Sequence, residues 1–564
     1  MNSLEWLITL AVFHLLYGIL FSLFFKKEGI AAYKAFIPFY NSLLLLRVLE
    51  RPWWWLILFC LPIINLVMFP VLWIDILYAY KKPKPLERVL TVVSLGTYLF
   101  VLGLDAKTFR EEGRLRPEKT KTGEWLSSIL FAIVAATLVH TYFIQPYAIP
   151  TPSLERTLRV GDFLLVSKFH YGARIPTTAI AAPMVHDTLP ILKVKSYLKK
   201  PQFPYVRLPG FASVKKNDLV VFNWPADTVR QFFVKEAGVK KPIDKKSNYV
   251  KRCVGTPGDT LEVIDGFVYI NGEMLLLDSR AKPMYNHQVY ASSGVSSRLL
   301  SEADASDYAR VFTGDNLSQS QYNALIPHLI GVNQLEDGSL ELYTSEDGIP
   351  VELLRSQRIA LKEVLKTEQL VNLTLDKAAW LRTNERIDSV VMDITPKGIS
   401  GYNIFPNHPD YSWNEDNFGP VYLPKAGETI ELTLSNLPIF KRIITEYEGQ
   451  QIRVKDESIL LNGQPTSTYT FKQGYYWMMG DNRDRSEDSR SWGHVPENHI
   501  LGKPVFIWMS WDNFDKGIFS MKPRWDRFFT TVKGEAEPVS YRYVFVGLLA
   551  AYFLYRFWRK RKKA

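Results

Sequence analysis

Long apolar runs constrain the fold of this chain more than any other feature of its sequence. The run from Trp125 to Ile144 matches the ~20 apolar residues that a helix needs to cross a bilayer. A second run, from Leu4 to Phe25, is also long enough and is closed by Lys26-Lys27. It is too long for the core of a signal peptide and lacks a basic start, so we interpret it as part of the structure. The sequence therefore predicts a membrane-anchored protein.

Three further apolar runs predict additional membrane segments. Trp53 to Tyr80 is interrupted by Pro62 and Pro70, which favours either one kinked helix or a short hairpin. The runs Val89 to Leu104 and Tyr543 to Trp558 are short but continuous. We therefore expect several transmembrane helices at the N-terminus, within a membrane region over 1–104, a transmembrane helix over 125–145, and one C-terminal transmembrane helix with its basic tail over 541–564.

Basic residues orient these segments, because cytoplasmic loops carry an excess of Lys and Arg. The stretch before Trp125 predicts a basic cytoplasmic loop over 105–124, and the tail after Trp558 is also basic. Both assignments place residues 146–540 on the outer face of the membrane. The topology of residues 26–104 stays open, because basic residues lie on every loop there. The loop carries Lys107, Arg110, Arg114, Arg116, Lys119 and Lys121.

The outer region is predicted to be mainly β. Short apolar runs bounded by Gly, Pro, Asn and Asp are typical of strands, and Asn271-Gly272 and Asn462-Gly463 are typical of hairpin turns. Only the stretch 295–380 suggests a helical period. The predicted strands are Phe163 to Val166, Asp218 to Phe222, Thr260 to Val263, Phe267 to Ile270 and Val505 to Trp508.

Composition excludes several functional classes. The net charge is +11, but the last fourteen residues carry six basic residues and no acid, so the excess does not indicate nucleic-acid binding. The two cysteines, Cys60 and Cys253, exclude a disulfide scaffold and a multi-cysteine zinc site. Asp484 and Asp488 have the spacing of calcium ligands, but the Gly and Glu that such a loop requires are missing. We therefore expect no metal and no cofactor.

Three polar blocks carry the chemistry that the sequence contains. The first reads YAIPTPSLERTL from Tyr147 and is followed by Gly161-Asp-Phe; the second reads YVKRCVGTPGD from Tyr249; the third reads GDNRDRSEDSRSWGHV from Gly480. In order and composition they resemble the conserved boxes of signal peptidase I, a family of membrane-bound bacterial serine endopeptidases that remove signal peptides. A membrane span directly before the first block strengthens the resemblance.

The resemblance implies a Ser/Lys dyad, with Ser153 as nucleophile and Lys251 as general base. A serine hydroxyl needs an adjacent base, and a lysine with its ordinary pKa of ~10.4 is charged at neutral pH and cannot accept a proton. Burial disfavours the ammonium and lowers the pKa. The apolar neighbours Tyr249, Val250 and Val254 are candidates for that burial, so no metal or cofactor is needed.

The same resemblance assigns supporting roles by position. Thr151 and the Ser153 amide would form the oxyanion hole, and Ser486 would orient the Lys251 amine by a hydrogen bond. Asp488 and Arg490 would form an ion pair that supports the site. Strand alternation would point Arg252 away from Lys251. The implied walls of the substrate pocket are Ile149, Leu154, Leu158, Leu164, Tyr249 and Val250.

Two departures from the family pattern lie beside the nucleophile. Pro152 replaces a small residue that is usually glycine, so the backbone there must accept a φ near −65°. Leu154 replaces methionine, a change of similar volume and polarity. Neither departure removes a group that the chemistry needs.

The family fold implied for the outer region is a signal-peptidase-like β-domain with a large insertion. We expect its first part over 146–272, the inserted region over 273–470 and its second part over 471–540. Ser153 follows the membrane span so closely that, at ~3.3–3.6 Å per extended residue, it lies within roughly 30 Å of the span's end. Such a site suits substrates that are themselves held in the membrane.

The resulting hypothesis is a multi-pass serine endopeptidase of the bacterial cytoplasmic (inner) membrane, with its catalytic domain on the periplasmic face. Its expected partners are signal-peptide-bearing preproteins, the lipid bilayer and the protein-export machinery, and it binds no nucleic acid. The alternative is a catalytically altered, membrane-anchored binding or assembly factor on the same scaffold. The intact set of implied catalytic residues favours the enzyme.

Overall fold

A bundle of short helices precedes the β-rich part of the chain in the computed structural model. The structure describes residues 3–110, 121–227, 240–314, 317–335, 339–514, 517–534 and 538–562. Half of the basic loop predicted over 105–124, residues 111–120, and the last residues of the tail, 563–564, lie outside these ranges. The bundle contains α1 (Ser3–Lys27), α2 (Tyr40–Val48), α3 (Trp55–Cys60), α4 (Asn65–Tyr80), α5 (Pro85–Val93) and α6 (Leu99–Leu104).

Only α1 of these six helices is long and apolar enough to cross a membrane by itself. The run from Trp53 to Tyr80 is divided into α3 and α4 at a break that contains Pro62, whereas Pro70 lies inside α4. The helices pack around fully buried side chains, including Phe24 and Leu77. A buried ion pair between Arg51 and Asp75, at 2.7 Å, links the start of α3 to α4.

The second helix long enough to span is α7 (Lys121–Tyr142), which leads directly into the first strand. The following elements are β1 (Ile144–Ala148), β2 (Asp162–Ser167), β3 (Leu219–Asn223), β4 (Asn248–Gly255), β5 (Thr260–Ile264), β6 (Phe267–Ile270) and β7 (Glu273–Met274). The hairpin turn Asn271-Gly272 between β6 and β7 has positive φ at both residues, 54° and 86°, as a type I′ turn requires.

The middle of the chain alternates short strands with short helices. It contains β8 (Met284–Tyr290), α8 (Ser297–Glu302), β9 (Arg310–Gly314), α9 (Gln319–Leu325), β10 (Leu329–Gln334), β11 (Leu340–Thr344), α10 (Val351–Ser356), β12 (Lys362–Val364), β13 (Glu368–Thr374), α11 (Leu375–Arg382) and β14 (Ser389–Met392). The helical period predicted over 295–380 therefore corresponds to four short helices between strands.

The last third of the chain completes the sheets. Its elements are β15 (Phe418–Tyr422), β16 (Thr429–Glu431), α12 (Leu437–Arg442), β17 (Ile452–Lys455), β18 (Ser458–Leu461), β19 (Gln464–Pro465), β20 (Thr468–Thr470), β21 (Tyr475–Met479), α13 (Ser489–Trp492), β22 (Val495–Pro496), β23 (Ile500–Asp512), β24 (Lys522–Pro523), β25 (Thr530–Thr531) and α14 (Arg542–Arg561). Four of the five predicted strand runs fall within β2, β5, β6 and β23, and the fifth, Asp218 to Phe222, matches β3 except for Asp218. The mainly β interpretation is therefore confirmed.

The central sheet brings together strands that are distant in the sequence. Its order is β1-β2-β23-β3-β4-β21-β22, and its paired strands are antiparallel. The first polar block thus lies after β1, the second on β4, and the third directly after β21. Since β4 and β21 are neighbours, the second and third blocks lie side by side, and the Asn482 amide of the third block donates to the Ser153 carbonyl oxygen of the first.

Packing divides the stretch 273–470 into two parts. One hydrophobic core joins Leu261 and Val268 to Phe418, Phe471 and Trp477, so the later part packs with the first portion of the β-domain. Two smaller cores lie around the sheet β13-β8-β14 and the sheet β10-β11-β9-β12. The chain after residue 400 therefore shares a core with residues 254–270.

Candidate active site

Ser153 lies in a single 3₁₀ turn, Pro152–Leu154, that follows β1. Pro152 occupies the first position of this turn, where its fixed φ is suitable and its missing N–H costs nothing. The replacement of the usual glycine is therefore compatible with the backbone. Leu154 is buried beneath the turn, and Ser153 is only 8% exposed. The turn thus presents the serine from a fixed backbone.

Lys251 reaches the serine from β4, a strand distant from β1 in the order of the sheet. It lies on β4, is 2% exposed, and its Nζ is 2.5 Å from Oγ of Ser153. Two residues that are 98 positions apart in the sequence are therefore in direct hydrogen-bond contact. The two groups are within hydrogen-bond reach of each other, as a nucleophile and its base must be.

Burial changes the acidity of this lysine. It lowers the pKa of Lys251 to about 8, while the nearby carboxylates, first of all Asp488, act in the opposite direction. The ammonium loses its hydration in this position, so the neutral amine is favoured. A substantial fraction of free amine, which can accept a proton, is therefore present near neutral pH.

Arg252 points to the other face of β4, as strand alternation predicts. It forms a two-pronged ion pair with Asp481, with Nε–Oδ1 at 2.7 Å and Nη2–Oδ2 at 2.6 Å. Thr157 donates a further hydrogen bond to Asp481, at 2.6 Å. Burial alone would raise the pKa of Asp481, but the charge of Arg252 together with the hydrogen bonds from Arg252 and Thr157 lowers that pKa. This carboxylate was not singled out in the sequence, although it stands beside Gly480 in the third block.

The loop after β21 holds the nucleophile turn by its backbone. The Asn482 amide donates to the Ser153 carbonyl oxygen at 3.1 Å, and its side chain donates to the Pro152 carbonyl oxygen at 3.2 Å. Gly480 lies so close to this turn that a Cβ there would be 2.5 Å from the Ser153 carbonyl oxygen. Only glycine fits this position without a shift of the turn.

Asp488 and Arg490 form the buried pair that the resemblance implies. Their two bonds, Nε–Oδ1 and Nη2–Oδ2, are both 2.9 Å. Asp488 also accepts the Gly480 amide at 3.1 Å, and Arg490 donates to the Arg483 carbonyl oxygen at 2.6 Å. Burial alone would raise the pKa of Asp488, but the charge of Arg490 together with the hydrogen bonds from Arg490 and the Gly480 amide lowers that pKa. The pair therefore fixes both ends of the loop.

Two expected contacts are absent from the site. The Ser486 Oγ is buried next to Gly480 but makes no hydrogen bond to any residue that the structure describes, so the predicted bond to Lys251 is not formed. Leu158 does not line the cleft and is buried in the core with Leu164, because the backbone leaves the helical conformation after Leu154, with a φ of 67° at Arg156.

An open cleft of about 300 Å³ lies over the dyad. Its walls include five of the six predicted pocket residues, and Thr151 also faces it. Sequence reasoning missed Tyr147, Val221, Asn248, Arg485 and Glu487, which complete the lining. Their proximity arises from strand pairing and from the loop after β21, which no local pattern reports. The predicted residues on the wall are Ile149, Leu154, Leu164, Tyr249 and Val250.

Metal binding has no obvious place in this arrangement. Within the described ranges, no three His, Cys, Asp or Glu side chains are grouped so that they could hold an ion. The two fully buried carboxylates of the third block, Asp481 and Asp488, are each paired with an arginine. The chemistry available at the cleft is that of a hydroxyl and an amine.

Comparison with known proteins agrees with this geometry. Residues 122–324 and 466–511 match the family described as signal peptidase, peptidase S26, and residues 33–112 match a family of unknown function, DUF5684. The chain is 23% identical to signal peptidase I of Haemophilus influenzae over 441 residues, which are 76% of this chain and 81% of that protein. It is 23% identical to signal peptidase I of Buchnera aphidicola (subspecies Acyrthosiphon pisum) over 72% of this chain and 82% of that protein. Signal peptidase I of Rickettsia massiliae is 26% identical over a shorter stretch, 28% of this chain and 46% of that protein. Both stretches that match the signal peptidase family, peptidase S26, contribute to the cleft, so the similarity includes Ser153, Lys251 and the loop after β21.

Proposed function

We propose that this protein is a membrane-bound serine endopeptidase that removes N-terminal signal peptides from exported preproteins. The observation that carries the proposal is the 2.5 Å contact between Ser153 Oγ and Lys251 Nζ on the floor of an open cleft. The relatives named signal peptidase I support the same activity. Because exported preproteins arrive through the protein-export machinery, we include that machinery among the partners.

The reaction follows from the positions of the two groups. The neutral Lys251 amine takes the Ser153 hydroxyl proton as Oγ attacks the scissile carbonyl carbon. The resulting ammonium then gives that proton to the leaving amine as the peptide bond breaks, which leaves an ester on Ser153. Water attacks the ester with Lys251 again acting as base, and the serine is regenerated.

The charge that develops on the scissile oxygen needs donors, and the turn supplies them. The Ser153 amide lies in the first turn of a 3₁₀ helix, where N–H groups lack helical partners. Thr151 precedes the turn and lines the cleft, so its hydroxyl is the proposed second donor. Asp488, Arg490 and Arg252 hold the surrounding backbone in our proposal, and Ser486 contacts the amine only after a side-chain rotation.

Replacing Thr151 with valine tests the oxyanion donor. The variant keeps the shape of the side chain but removes the hydroxyl, so we expect kcat to fall by about 10²-fold with little change in KM. Thr151→Ser retains a hydroxyl and should recover most of the rate. Steady-state cleavage of a signal-peptide substrate measures both, and an unchanged kcat in Thr151→Val would exclude this role.

The arrangement of the helical bundle supports a membrane topology with the β-domain outside. Near the amino end of α1, Trp6 donates to the Gln202 carbonyl oxygen of the β-domain at 2.7 Å. At its other end, Lys27 donates to the Thr108 carbonyl oxygen at 2.8 Å, just before the basic loop that leads into α7. We therefore propose that α1 runs from the outer face to the cytoplasm and that α7 returns.

We extend the proposal to the remaining membrane segments and to the domain division. The shorter helices α2 to α6 complete a multi-pass region in the bacterial cytoplasmic membrane, and α14 crosses it again with its basic end inside. The catalytic β-domain, on the periplasmic face, is formed by 146–272 and 471–540 together with the chain after about residue 400. The remainder of 273–470 forms an accessory insertion.

The cleft supports substrates with small side chains near the cut. Its apolar wall is formed by Ile149, Leu154 and Val250, which lie directly beside the dyad. The family resemblance implies small residues at the −1 and −3 positions of the substrate. Because Ser153 is so close to the end of α7, the site is proposed to meet signal peptides that are still embedded in the bilayer.

Loss of the nucleophile provides the direct test of the activity. We expect Ser153→Ala to cleave a signal-peptide-bearing preprotein in detergent at least about 10³-fold more slowly than the unaltered chain. Ser213→Ala, at an exposed serine, is the matched control and should be unaffected. If the unaltered chain cleaves no preprotein and instead purifies with a stable partner, the binding-factor alternative replaces this proposal.

The pH dependence of the reaction reports the protonation state of the Lys251 amine. Because the pKa of Lys251 is lowered to about 8 and only its free amine is reactive, kcat/KM should fall about tenfold per pH unit below that value. The activity is thus gained as pH rises through the pKa and is lost as pH falls. A kcat/KM that stays constant between pH 6 and pH 9 would contradict a lysine base.

A further inference from the structure

A second cavity lies next to the catalytic cleft and has no place in the proposed chemistry. It encloses about 150 Å³ where the carboxyl end of α7 meets the β-domain. Thr137 and His140 of α7 form one side, and Lys168 and Arg174, which follow β2, form another. Lys245 closes it from the segment before β4. The cavity therefore lies at the level where the chain leaves its second candidate span.

Three basic side chains line this cavity, and none of them has a carboxylate within ion-pair distance among the described residues. Arg174 is 7% exposed, and its guanidinium donates only to neutral oxygens, Asn498 O at 2.9 Å and Asn223 Oδ1 at 2.6 Å. Lys245 is 5% exposed and lies over the ring of Tyr197. Neither of them, nor Lys168, forms an ion pair within the part of the chain that the structure describes.

The acidic side chain at the cavity is engaged elsewhere. Asp244 lines the wall, but one of its carboxylate oxygens accepts from the hydroxyls of Thr177 and Thr178, at 2.9 and 2.7 Å. The second oxygen accepts the Thr178 amide at 3.1 Å. This carboxylate therefore compensates at most one of the three cations.

Such a group of buried charges is costly unless a counter-charge joins it, because each cation has lost hydration. The effect is visible at Lys168, where burial and the charge of Arg174 lower the pKa to about 7. A bound anion would relieve both contributions. The cavity is thus electrostatically incomplete as it stands.

The shape of the site favours one class of anion. A guanidinium presents a planar fork that suits the oxygens of a phosphate, and an ammonium adds a compact charge beside it. Ile63 of the helical bundle and Met184 supply apolar surface at the same cavity. We propose that this cavity binds a phosphate group, supplied by the headgroup of a glycerophospholipid whose acyl chains extend along the bundle.

The position of the cavity gives this phosphate a role beside the catalytic cleft. Tyr147 and Asn248 line both cavities, so a bound headgroup would lie one side chain away from the cleft. A lipid held there fixes the β-domain against the membrane surface. The site is separate from the Ser153–Lys251 pair, and its test requires no peptidase activity.

Thermal unfolding of the full-length chain in detergent tests the proposal with three probes. These are phosphatidylglycerol with two hexanoyl chains, inorganic phosphate, and an acidic peptide. We expect the lipid to raise the melting temperature in a saturable way. Lys168→Met keeps the aliphatic stem and removes the charge, so the lipid concentration needed for half of the effect should rise roughly tenfold or more.

Two further variants make the test specific. Lys199→Met removes an exposed lysine of the same outer region and should bind as the unaltered chain does. Arg174→Lys keeps the charge but loses the fork, and should weaken lipid binding while preserving the fold. If inorganic phosphate alone gives the effect that depends on Lys168, the site takes free phosphate. Equal responses of Lys168→Met and Lys199→Met, or a response to the acidic peptide alone, would overturn the proposal.

Discussion

Lys251→Met should abolish cleavage while leaving the fold intact. Methionine matches the length of the lysine stem and fills the same space, but it cannot accept the Ser153 proton. We expect kcat/KM for a signal-peptide substrate to fall by at least about 10³-fold, because a serine without its base is a poor nucleophile. Lys215→Met is the matched control, because Lys215 is exposed and lies before β3, outside the cleft.

The same variant should be more stable than the unaltered chain, which separates a lost base from a damaged fold. Burial lowers the pKa of Lys251 from 10.5 to about 8, so below that value the folded state holds a proton it disfavours. The unfolded chain binds the proton more tightly, and the penalty amounts to roughly 3 kcal/mol near neutral pH. Methionine carries no charge, so the variant does not have this penalty.

The stability difference between Lys251→Met and the unaltered chain should change with pH. As pH rises from 8 towards 10.5, the folded state has already lost the proton while the unfolded state still binds it, so the unaltered chain gains stability. The advantage of Lys251→Met in melting temperature should therefore shrink over that range. A variant that cleaves normally, or one that melts lower at every pH, would contradict the proposed dyad.

Local sequence patterns predicted much of the β-domain but not how its parts meet. Strand runs such as Phe163 to Val166 and the Asn271-Gly272 turn are set by alternation and by backbone preference, which act over a few residues. The break at Pro62 follows from proline chemistry in the same way. Packing of the bundle and the division of 273–470 depend on contacts between distant segments, which no local pattern contains.

The candidate site shows the same division between local and distant effects. Ser153 and Lys251 were identified because their blocks resemble a family, and the strand alternation at Arg252 followed from a period of two. Leu158 lies in the core rather than on the cleft wall because the backbone changes direction at Arg156, whose φ is 67°, and composition alone does not reveal this. Asp481 was missed because its importance lies in a partner 229 positions away.

The buried pair between Arg252 and Asp481 gives the second large expected effect, this time on stability. Both side chains are almost fully buried, and the pair is closed by two short hydrogen bonds. Removing one partner leaves the other charge buried without compensation, which typically costs 3–5 kcal/mol. We therefore expect Arg252→Met to lower the free energy of unfolding by about that amount.

Loss of the ion pair should also displace the nucleophile turn, because Asp481 lies between Gly480 and Asn482, and both of these residues contact Ser153. Cleavage should fall together with stability. Arg298→Met is the matched control, since Arg298 is 89% exposed and its pair with Glu302 is accessible to solvent. Exposed pairs of this kind contribute little, so its unfolding curve should overlay that of the unaltered chain.

A double variant distinguishes an uncompensated charge from lost packing. In Arg252→Met with Asp481→Leu, no charge remains at this place, so most of the stability lost in Arg252→Met should return. Chemical unfolding followed by tryptophan fluorescence measures the unaltered chain, Arg252→Met, Arg298→Met and the double variant. If the double variant is less stable than Arg252→Met, the pair stabilises the fold through its geometry, and the loop from Gly480 to Asp488 depends on those hydrogen bonds rather than on charge compensation.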